Sequence, residues 1–391
     1  MSDRRHLTGM MRVASVAFLM AGMVGFASPL QAASPPTDLP KATQKLLTEL
    51  GLQPEILDGL DAELTVPQEW IDGARKEGAL RMGATWDPAR YRKMTEPFVE
   101  RYPFIKQDYA RGNRQERTLK PLMAFQSGRS TVDVIVGMGA TFAMFANAGA
   151  LMDMRPVPTW GNVIPSMKHD GGLWVGQRVA YWCMAYNTDK IKAEDLPKTW
   201  DDLLTSPVLR NGNLAITNRP NLWLANLWAV ERAEWGRSYT QRLFNDVKPQ
   251  LRKEGNNALL ALLAAGEFSA VVPASAARLQ QYKQKGAPIG WHCPTPVPMS
   301  ASEISVMSNT PNPYASLLWI NWFLSKEGQI AQFVADKSPP IHKDLQIETF
   351  LPFPEQIVGR KIAFRDHETL EKDLPEVFAV WNPLWEKAAQ K

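Results

Sequence analysis

Short apolar runs alternate with amphipathic segments in residues 79–136, which read ALRMGATWDPARYRKMTEPFVERYPFIKQDYARGNRQERTLKPLMAFQSGRSTVDVIV. The apolar runs have the length and residue types of strands, and the segments between them have the periodicity of helices. Strands that alternate with helices predict a parallel sheet with helices on both faces. The predicted strands are Ala79–Ala84, Ile105–Tyr109 and Val132–Val136, and the predicted helices are Pro88–Tyr102, Arg114–Phe125 and Ala140–Asn147.

The same alternation returns between residues 177 and 298 and predicts a second α/β layer system. In the phrase LPKTWDDLL at 196–204, Thr199 is a good N-cap and Asp202 stands at its capping-box position, so a helix is expected to begin there. Further strands are predicted at Leu173–Asn187, Asn213–Thr217, Phe268–Val272 and Ile304–Met307, and further helices at Leu222–Glu234, Tyr239–Phe244, Asn256–Ala265 and after the Asn312-Pro313 cap.

Length and composition favour a two-part, water-soluble protein. At 391 residues the chain is long for one core, and its 45% apolar and 21% charged residues are ordinary for a globular protein. The net charge is +4, and removing residues 1–32 takes away three arginines and one aspartate, which leaves +2. Since this charge is weak and no Lys/Arg run concentrates it, a nucleic-acid partner is not expected.

Residues 1–32 have the layout of a cleavable secretory signal peptide. A basic start with Arg4, Arg5 and Arg12 precedes the uncharged run Val13–Ala27, and Ala32 supplies a small residue for cleavage. The alternative is a membrane anchor, but fifteen residues are short for a bilayer span. We therefore expect export to the periplasm without membrane insertion, and leave open the Sec or the twin-arginine route.

No catalytic motif stands out. The chain has neither a Gly-x-Ser-x-Gly elbow nor a His-Glu-x-x-His pair, and its histidines lack ligand spacing. His292 next to Cys293 could suggest a thiol and its base, but neighbouring residues on a strand point to opposite faces. We therefore expect that the protein is not an enzyme and needs no cofactor.

Four phrases in a consistent order resemble the type II periplasmic solute-binding proteins of ABC importers, in the ferric-iron-type branch of extracellular solute-binding family 1. They are YNTDKI at 186–191, LPKTWDDLL at 196–204, LLAAGE at 262–267 and NPYASLLWINWFLSKEGQ at 312–329. The resemblance covers roughly Pro67 to Pro340. It implies an α/β fold of two lobes joined by two crossing hinge strands, near Gly176 and near Pro298-Met299, with a ligand held between the lobes.

The resemblance also implies a division of the chain and a partner. Lobe 1 is expected to comprise 64–176 and 299–342, and lobe 2 to comprise 177–298. An N-terminal extension at 33–63 and C-terminal helices at 343–391 complete the chain. The expected role is a monomer that captures a small solute and delivers it to an inner-membrane ABC permease. The alternative is a ligand sensor that docks on a signalling receptor, because lobe closure serves both.

The spacing of the two cysteines, Cys183 and Cys293, does not decide whether they form a disulfide or remain buried thiols. In the family that the chain resembles, the hinge-linked strands of lobe 2 run side by side and antiparallel. Both cysteines stand at a similar distance from the hinges, so the resemblance implies a disulfide between them.

Ferric iron is not the expected ligand, in spite of the resemblance. Ferric relatives use a histidine after the first strand, an acidic residue after the third and neighbouring tyrosines after a late strand. The corresponding positions here are Trp86, Met138 and Ser275-Ala276, and no Tyr-Tyr pair occurs in the chain. These residues lack the hard oxygen and imidazole donors that ferric iron requires, so no metal site is predicted.

A small organic anion, such as a carboxylate or phosphonate, is the ligand hypothesis. Arg219 stands in a loop between a strand and a helix, where a guanidinium and a helix N-terminus favour an anionic group. The Trp86 ring would cover the carbon part of the ligand. Met138 could instead belong to a core, and single arginines are commonly surface groups. The predicted ligand-binding residues are Thr85, Trp86, Arg114, Met138, Thr141, Asn218, Arg219, Asn221, Asn256, Ser275 and Arg278.

Overall fold

The structure is a computed structural model that describes residues 38–113, 115–365 and 367–390. Its strands are β1 Ala79–Ala84, β2 Lys106–Arg111, β3 Val134–Val136, β4 Val175–Asn187, β5 Leu214–Thr217, β6 Gln250–Arg252, β7 Ala270–Ser275, β8 Ile289–His292, β9 Val297–Val306 and β10 Ile362–Ala363. Its helices are α1 Lys41–Leu50, α2 Leu60–Leu64, α3 Gln68–Glu77, α4 Pro88–Arg101, α5 Lys120–Gln126, α6 Phe142–Asn147, α7 Trp200–Thr205, α8 Leu224–Glu231, α9 Ala233–Arg242, α10 Asn256–Ala264, α11 Ala276–Lys283, α12 Pro313–Leu324, α13 Lys326–Asp336 and α14 His367–Ala389. The predicted signal peptide, residues 1–32, lies outside the described residues.

The strands form a mixed sheet in the order β2-β1-β3-β9-β4-β7-β5-β6, with β10 beside β9 and β8 beside β4. Parallel pairs join β1 to β2 and β3, and β5 to β6 and β7. We call β1, β2 and β3 with the end of β9 the first half of the sheet, and β5, β6, β7 and β8 the second half. Parallel strands with helical connections are the architecture that the alternating sequence pattern predicted.

Two long antiparallel strands pass from one half of the sheet to the other. β4 pairs with β9 over Val175–Tyr181 and then with β7 and β8 up to Asn187. β9 continues in the opposite direction to β3, where Val134 lies opposite Val306. The strand predicted at Ile304–Met307 is therefore the end of a longer element, because β9 begins already at Val297.

Buried aromatic rings pack the first half. α12 is buried on nearly all sides, and its Trp319, Trp322 and Phe323 are 0% exposed. The helix begins at Pro313 as predicted, but Asn312 does not cap it, since its amide donates to Asp133 Oδ2 at 3.0 Å. The Glu77 carboxylate instead accepts hydrogen bonds from two backbone N–H groups of the first turn of α12.

The second half has its own core, to which the C-terminal helix belongs. The Thr199 capping box is confirmed: Thr199 Oγ1 accepts from the Asp202 backbone N–H at 3.1 Å, and Asp202 Oδ2 accepts from the Thr199 backbone N–H at 2.8 Å. The helix predicted at Leu222–Glu234 is interrupted at Arg232, whose φ of 81° lies in the left-handed region. α14 packs on α8 and α9, and also touches α6 and the turn at Gly139–Thr141 of the first half.

Cys183 and Cys293 are paired in a disulfide with their Cα atoms 5.0 Å apart, and both are fully buried. Cys183 lies on β4, and Cys293 directly follows β8, whose His292 is opposite Met184. The pair is thus carried by β4 and the separate short strand β8, because the second crossing strand, β9, begins only at Val297. Within the described residues, no helix combines the length and apolar character that a bilayer crossing requires.

Candidate functional site

Three arginine side chains surround one buried carboxylate, that of Asp336. Arg178 Nη2 lies 2.6 Å from Asp336 Oδ2, Arg90 Nη1 lies 3.1 Å from Oδ1, and Arg278 Nη2 lies 3.9 Å from Oδ1. The Asp336 side chain is only 4% exposed. We call these four residues the arginine cluster. It combines three positive charges with one negative charge.

Each member of the cluster comes from a different element. Arg90 lies in the first turn of α4, which Asp87 caps by accepting the Ala89 backbone N–H at 2.9 Å. Arg178 lies on the crossing strand β4, and Arg278 lies in the first turn of α11, directly after β7. Asp336 ends α13. The cluster therefore brings together the first half of the sheet, a crossing strand and the second half.

The electrostatics of the cluster favour an anion. Burial, together with Arg90 and Arg178 nearby, lowers the pKa of the Arg278 guanidinium, while Asp336 acts in the opposite direction. A guanidinium stays protonated in proteins, so the partly buried Arg278 keeps its positive charge beside two other guanidinium groups. The three arginine side chains are 29–35% exposed, which leaves donor groups accessible to a solute. Guanidinium groups bind carboxylate and phosphate oxygens through paired hydrogen bonds.

Buried polar atoms without hydrogen-bond partners lie beside Arg178. Gln177 is 1% exposed, and neither polar atom of its side chain has a partner among the described residues. The same holds for Arg178 Nε and for Gln332 Oε1, while Gln332 Nε2 donates to the Gln177 carbonyl. Since buried polar groups are nearly always paired, this segment of β4 has unused hydrogen-bonding capacity.

The loop after β1 carries the predicted residues Thr85 and Trp86. Thr85 Oγ1 is buried and has no partner among the described residues. The Trp86 ring is 1% exposed and packs on Tyr91, Trp319 and Phe323. The ring thus lies in the core rather than on an open cleft face as expected, because aromatic side chains of α4 and α12 close around it. Its contact with a solute stays a prediction.

The loop after β3 is likewise closed by its own contacts. Met138 is 1% exposed in a core cluster with Phe142 and Phe145, which is the core position weighed for it from the sequence. Thr141 is 3% exposed, and its Oγ1 donates to the Met138 carbonyl at 2.8 Å. The buried Glu303 carboxylate accepts the Gly139 backbone N–H. These bonds fix the backbone of the loop and direct both predicted side chains inward.

The loop after β5 carries three predicted residues, and β5 is the parallel neighbour of β7, which leads directly into α11 and Arg278. Asn218 and Arg219 are exposed, and Asn221 is half-buried. Asn218 Oδ1 accepts a hydrogen bond from Trp381 Nε1 of α14 at 2.8 Å. Within the described part of the chain, Arg219 forms no ion pair, either with Asp336 of the cluster or with another carboxylate. Arg219 is thus available at the surface, and its role as the anion-binding residue stays a prediction.

Of the other predicted residues, Arg278 belongs to the cluster and Ser275 lies one turn before it. Ser275 ends β7 at 7% exposure and is opposite Trp182 of β4, whose Nε1 donates to Ser300 Oγ at 2.7 Å. Asn256 is the half-buried first residue of α10. Arg114 lies outside the described residues.

Sequence reasoning missed Arg90, Arg178 and Asp336. One signal was present: Arg178 is a charged residue inside the otherwise apolar strand segment VGQRVAYW at 175–182. A charged group in a buried strand requires an oppositely charged or hydrogen-bonding partner. Such buried pairs mark candidate functional sites. The partner itself, 158 positions later in the chain, could not be named without the fold.

One group of side chains has the residue types of a metal site, but these side chains are already bonded to other groups of the protein. Oxygen and nitrogen atoms of Glu63, His342 and Asp344 lie within 4.8 Å of one another. Both ring nitrogens of His342 are already used, Nε2 by Glu63 at 2.9 Å and Nδ1 by the Asp344 backbone N–H at 3.2 Å. Lys326 Nζ lies 3.3 Å from Asp344, where it neutralises the carboxylate. This group ties the segment before α3 to the first half.

Comparison with known proteins gives a family match. The family model described as bacterial extracellular solute-binding protein matches residues 87–330, more than half of the chain. No curated protein sequence matches.

Solved structures match in fold over 78% of this chain and 99% of their own. Iron-bound HitA from Pseudomonas aeruginosa is 19% identical with a TM-score of 0.64. An ABC transporter structure from Clostridium perfringens is 18% identical with a TM-score of 0.61, and the ferric binding protein from Campylobacter jejuni is 14% identical with a TM-score of 0.64. The likeness confirms the predicted two-lobed α/β fold of type II.

Proposed function

Because the chain belongs to the family of bacterial extracellular solute-binding proteins, we propose that it captures a small organic anion at the arginine cluster. Proteins of this family and fold are the periplasmic solute-binding components of ABC transporters and do not catalyse reactions. The proposed ligand is a carboxylate or phosphonate held between the lobes. The observation that carries the proposal is the surplus of two positive charges around Asp336.

The position of the cluster supports binding between lobes. We propose lobe 1 at 64–176 and 299–342, lobe 2 at 177–298, and a signal peptide at 1–32. In this division Arg90 and Asp336 belong to lobe 1, and Arg278 belongs to lobe 2. An anion bridging Arg90 and Arg278 would therefore stabilise the closed arrangement more than the open one, and this difference shifts a lobe equilibrium toward closure. The closed form of a monomer would then dock on the permease.

An anion fits these side chains better than ferric iron, although two of the similar structures are of iron-binding proteins by name. Ferric iron requires oxygen and imidazole ligands. The positions expected to supply them carry Trp86, Met138 and Ser275, and the first two are buried in cores. Three guanidinium groups near one carboxylate would repel a trivalent cation and attract an oxyanion.

The proposal is tested by a thermal-shift screen of the mature protein against organic acids, phosphonates, sugars, amines and ferric ion. A ligand that binds the folded state alone raises the melting temperature, and the rise grows with the logarithm of the ratio of ligand concentration to Kd. We expect dianionic organic acids or phosphonates to raise it most. A rise with ferric ion alone, or with neutral sugars alone, would show that the cluster does not select the cargo. Stimulation of a reconstituted permease and ATPase by the loaded protein then separates transport from a sensor role.

A further inference from the structure

A cavity of about 650 Å³ opens on lobe 1 between β1, β2 and α5. Its volume falls in the range of small-molecule sites, which is about 300–1,000 Å³. Arg90, Arg178 and Arg278 are not among its lining residues, so the cavity is separate from the arginine cluster.

Small residues on one face of the sheet leave this space. In the parallel register Arg81 lies beside Asp108 and Gly83 beside Ala110, which places these side chains on the same face. Gly83 and Ala110 add almost no bulk beneath α5. A Cβ atom on Gly83 would lie 3.5 Å from Val132 Cγ2 and 3.6 Å from Arg117 Cγ, which are ordinary contact distances. The sequence therefore leaves room here that larger side chains would fill.

Positive charge surrounds the cavity. Its cationic lining residues are Arg81, Arg111, Arg117, Lys120 and Arg129, against the acidic Asp108 and Glu116. Arg81 is held by Asp133, with Nη2 to Oδ1 at 2.6 Å. Lys120 and Arg129 are exposed, and neither forms an ion pair with another described residue. These two cations are therefore available to an anionic group at the rim.

The remainder of the lining is apolar. Val132 and Ala124 are buried at 7% and 5% exposure, and Pro121 is buried as well. Met123 is 65% exposed beside them, a high value for so large an apolar side chain. An unbranched, polarizable methionine at the edge of a groove adapts to apolar ligands of different shape.

We propose that this cavity is a second ligand site, which binds a small amphiphilic anion. A carboxylate, sulfonate or phosphate head group would contact Lys120 and Arg129. The apolar body would lie against Val132, Ala124 and Met123. Both parts are needed. The two cationic side chains alone would bind any small anion, and the apolar residues alone would not select an anionic ligand. Since the site lies within lobe 1, its occupancy does not require closure of the lobes.

Calorimetric titration of the mature protein with octanoate, below the concentration at which it forms micelles, tests the site. We expect one octanoate bound per chain and weaker binding of n-octanol, which has the same chain length without the charge. The Lys120→Glu/Arg129→Glu double variant should lose at least tenfold in affinity. Ala110→Phe, which fills the cavity from an exposed position, should lose as much. Lys192→Glu/Lys285→Glu makes the same charge change at exposed positions elsewhere and should bind octanoate like the unaltered protein.

Three outcomes would overturn the proposal. They are no octanoate binding, equal binding of n-octanol, and unchanged affinity in the Lys120→Glu/Arg129→Glu variant. Loss of octanoate binding in Arg278→Ala would also overturn it, by locating the probe at the arginine cluster instead. If Ala110→Phe does not fold, as judged by circular dichroism, the double variant with its two exposed changes decides alone.

Discussion

Arg278 of α11 and Asp336 of α13 meet across the two halves of the sheet, with Nη2 3.9 Å from Oδ1. Asp336 Oδ2 also lies 2.6 Å from Arg178 Nη2, and Arg178 lies on β4, the strand that passes between the halves. The Asp336 carboxylate thus contacts Arg278 of the second half and Arg178 of the strand that joins the halves. Because Arg278 and Asp336 belong to different halves, relative motion of the halves would change the distance between them.

Replacing Arg278 by alanine is expected to weaken binding of the anionic cargo at least tenfold, which corresponds to about 1.4 kcal/mol. Removing one guanidinium takes away its charge-assisted hydrogen bonds to the anion. Arg155→Ala is the matched control, since Arg155 pairs with Asp153 and both side chains are about half exposed. Calorimetry with the ligand from the screen measures both, and equal affinities for the two variants would contradict the role of Arg278.

Arg219→Ala belongs in the same titration series. Arg219 is exposed in the loop after β5, next to Asn218, which is held by Trp381. If Arg219 binds the anion in the closed form, its loss should also cost about tenfold in affinity. Unchanged affinity in Arg219→Ala with reduced affinity in Arg278→Ala would confine the anion to the arginine cluster.

Asp336→Asn is expected to destabilise the fold by about 1–3 kcal/mol. The substitution keeps the size of the side chain but leaves three guanidinium groups facing one another without a counter-charge, and removal of one partner from a buried ionic group is costly. The partial exposure of the arginines holds the cost below that of a fully buried pair. Urea unfolding measures the effect, and Asp153→Asn is the exposed control, expected to change stability by less than about 1 kcal/mol.

Local sequence signals predicted the helices and strands well, but they did not predict the side-chain partners in the arginine cluster. The Thr199–Asp202 capping box and the start of α12 at Pro313 depend on neighbours within four residues, and the structure has both helices there. The long apolar segment before residue 187 likewise became the crossing strand β4. Patterns of this kind report backbone geometry, which is decided over short distances in the chain.

Side-chain partners depend on distances that no local pattern contains. Asn312 has the residue type of an N-cap, yet it donates to Asp133, 179 positions away, and Glu77 occupies the helix end. Trp86 follows a strand end as a ligand-contacting residue would, yet α12 supplies two aromatic rings that bury it. The arginine cluster requires α4, β4, α11 and α13 to meet, so Arg278 was visible as a candidate while its partners were not.

Removing the disulfide is expected to lower stability by about 4–5 kcal/mol, because the bridge closes a loop of 110 residues in the unfolded chain. The Cys183→Ala/Cys293→Ala double variant and the wild type are compared in urea without reductant. Periplasmic material with two free thiols, detected by mass spectrometry under non-reducing conditions, would contradict the bridge. A double variant as stable as the oxidised wild type would show that the bridge does not constrain the unfolded chain.

Stability should fall as the pH drops below about 6.5, partly through His292. Burial, aided by Arg360, lowers the pKa of the His292 imidazole, against the effect of its Nε2 hydrogen bond to the Pro197 carbonyl at 2.7 Å. Below about pH 6.5 the unfolded chain binds a proton that the folded chain does not, so acid favours unfolding until the lowered pKa is reached. His292→Gln should lose less stability than the wild type between about pH 7 and 5. Equal losses in urea unfolding would contradict this.

Trp381→Ala is expected to cost about 3–5 kcal/mol, the usual range for deleting a buried aromatic ring. Trp381 is 0% exposed on α14, with Phe244 edge-on at 5.1 Å between ring centroids and Trp385 stacked at 6.0 Å. Trp381→Phe keeps a ring but loses the hydrogen bond to Asn218, so it should cost only about 1–2 kcal/mol. Urea unfolding ranks the variants, and limited proteolysis shows whether α14 detaches. If Trp381→Ala costs less than about 1 kcal/mol, α14 is a peripheral helix whose packing does not stabilise the second half.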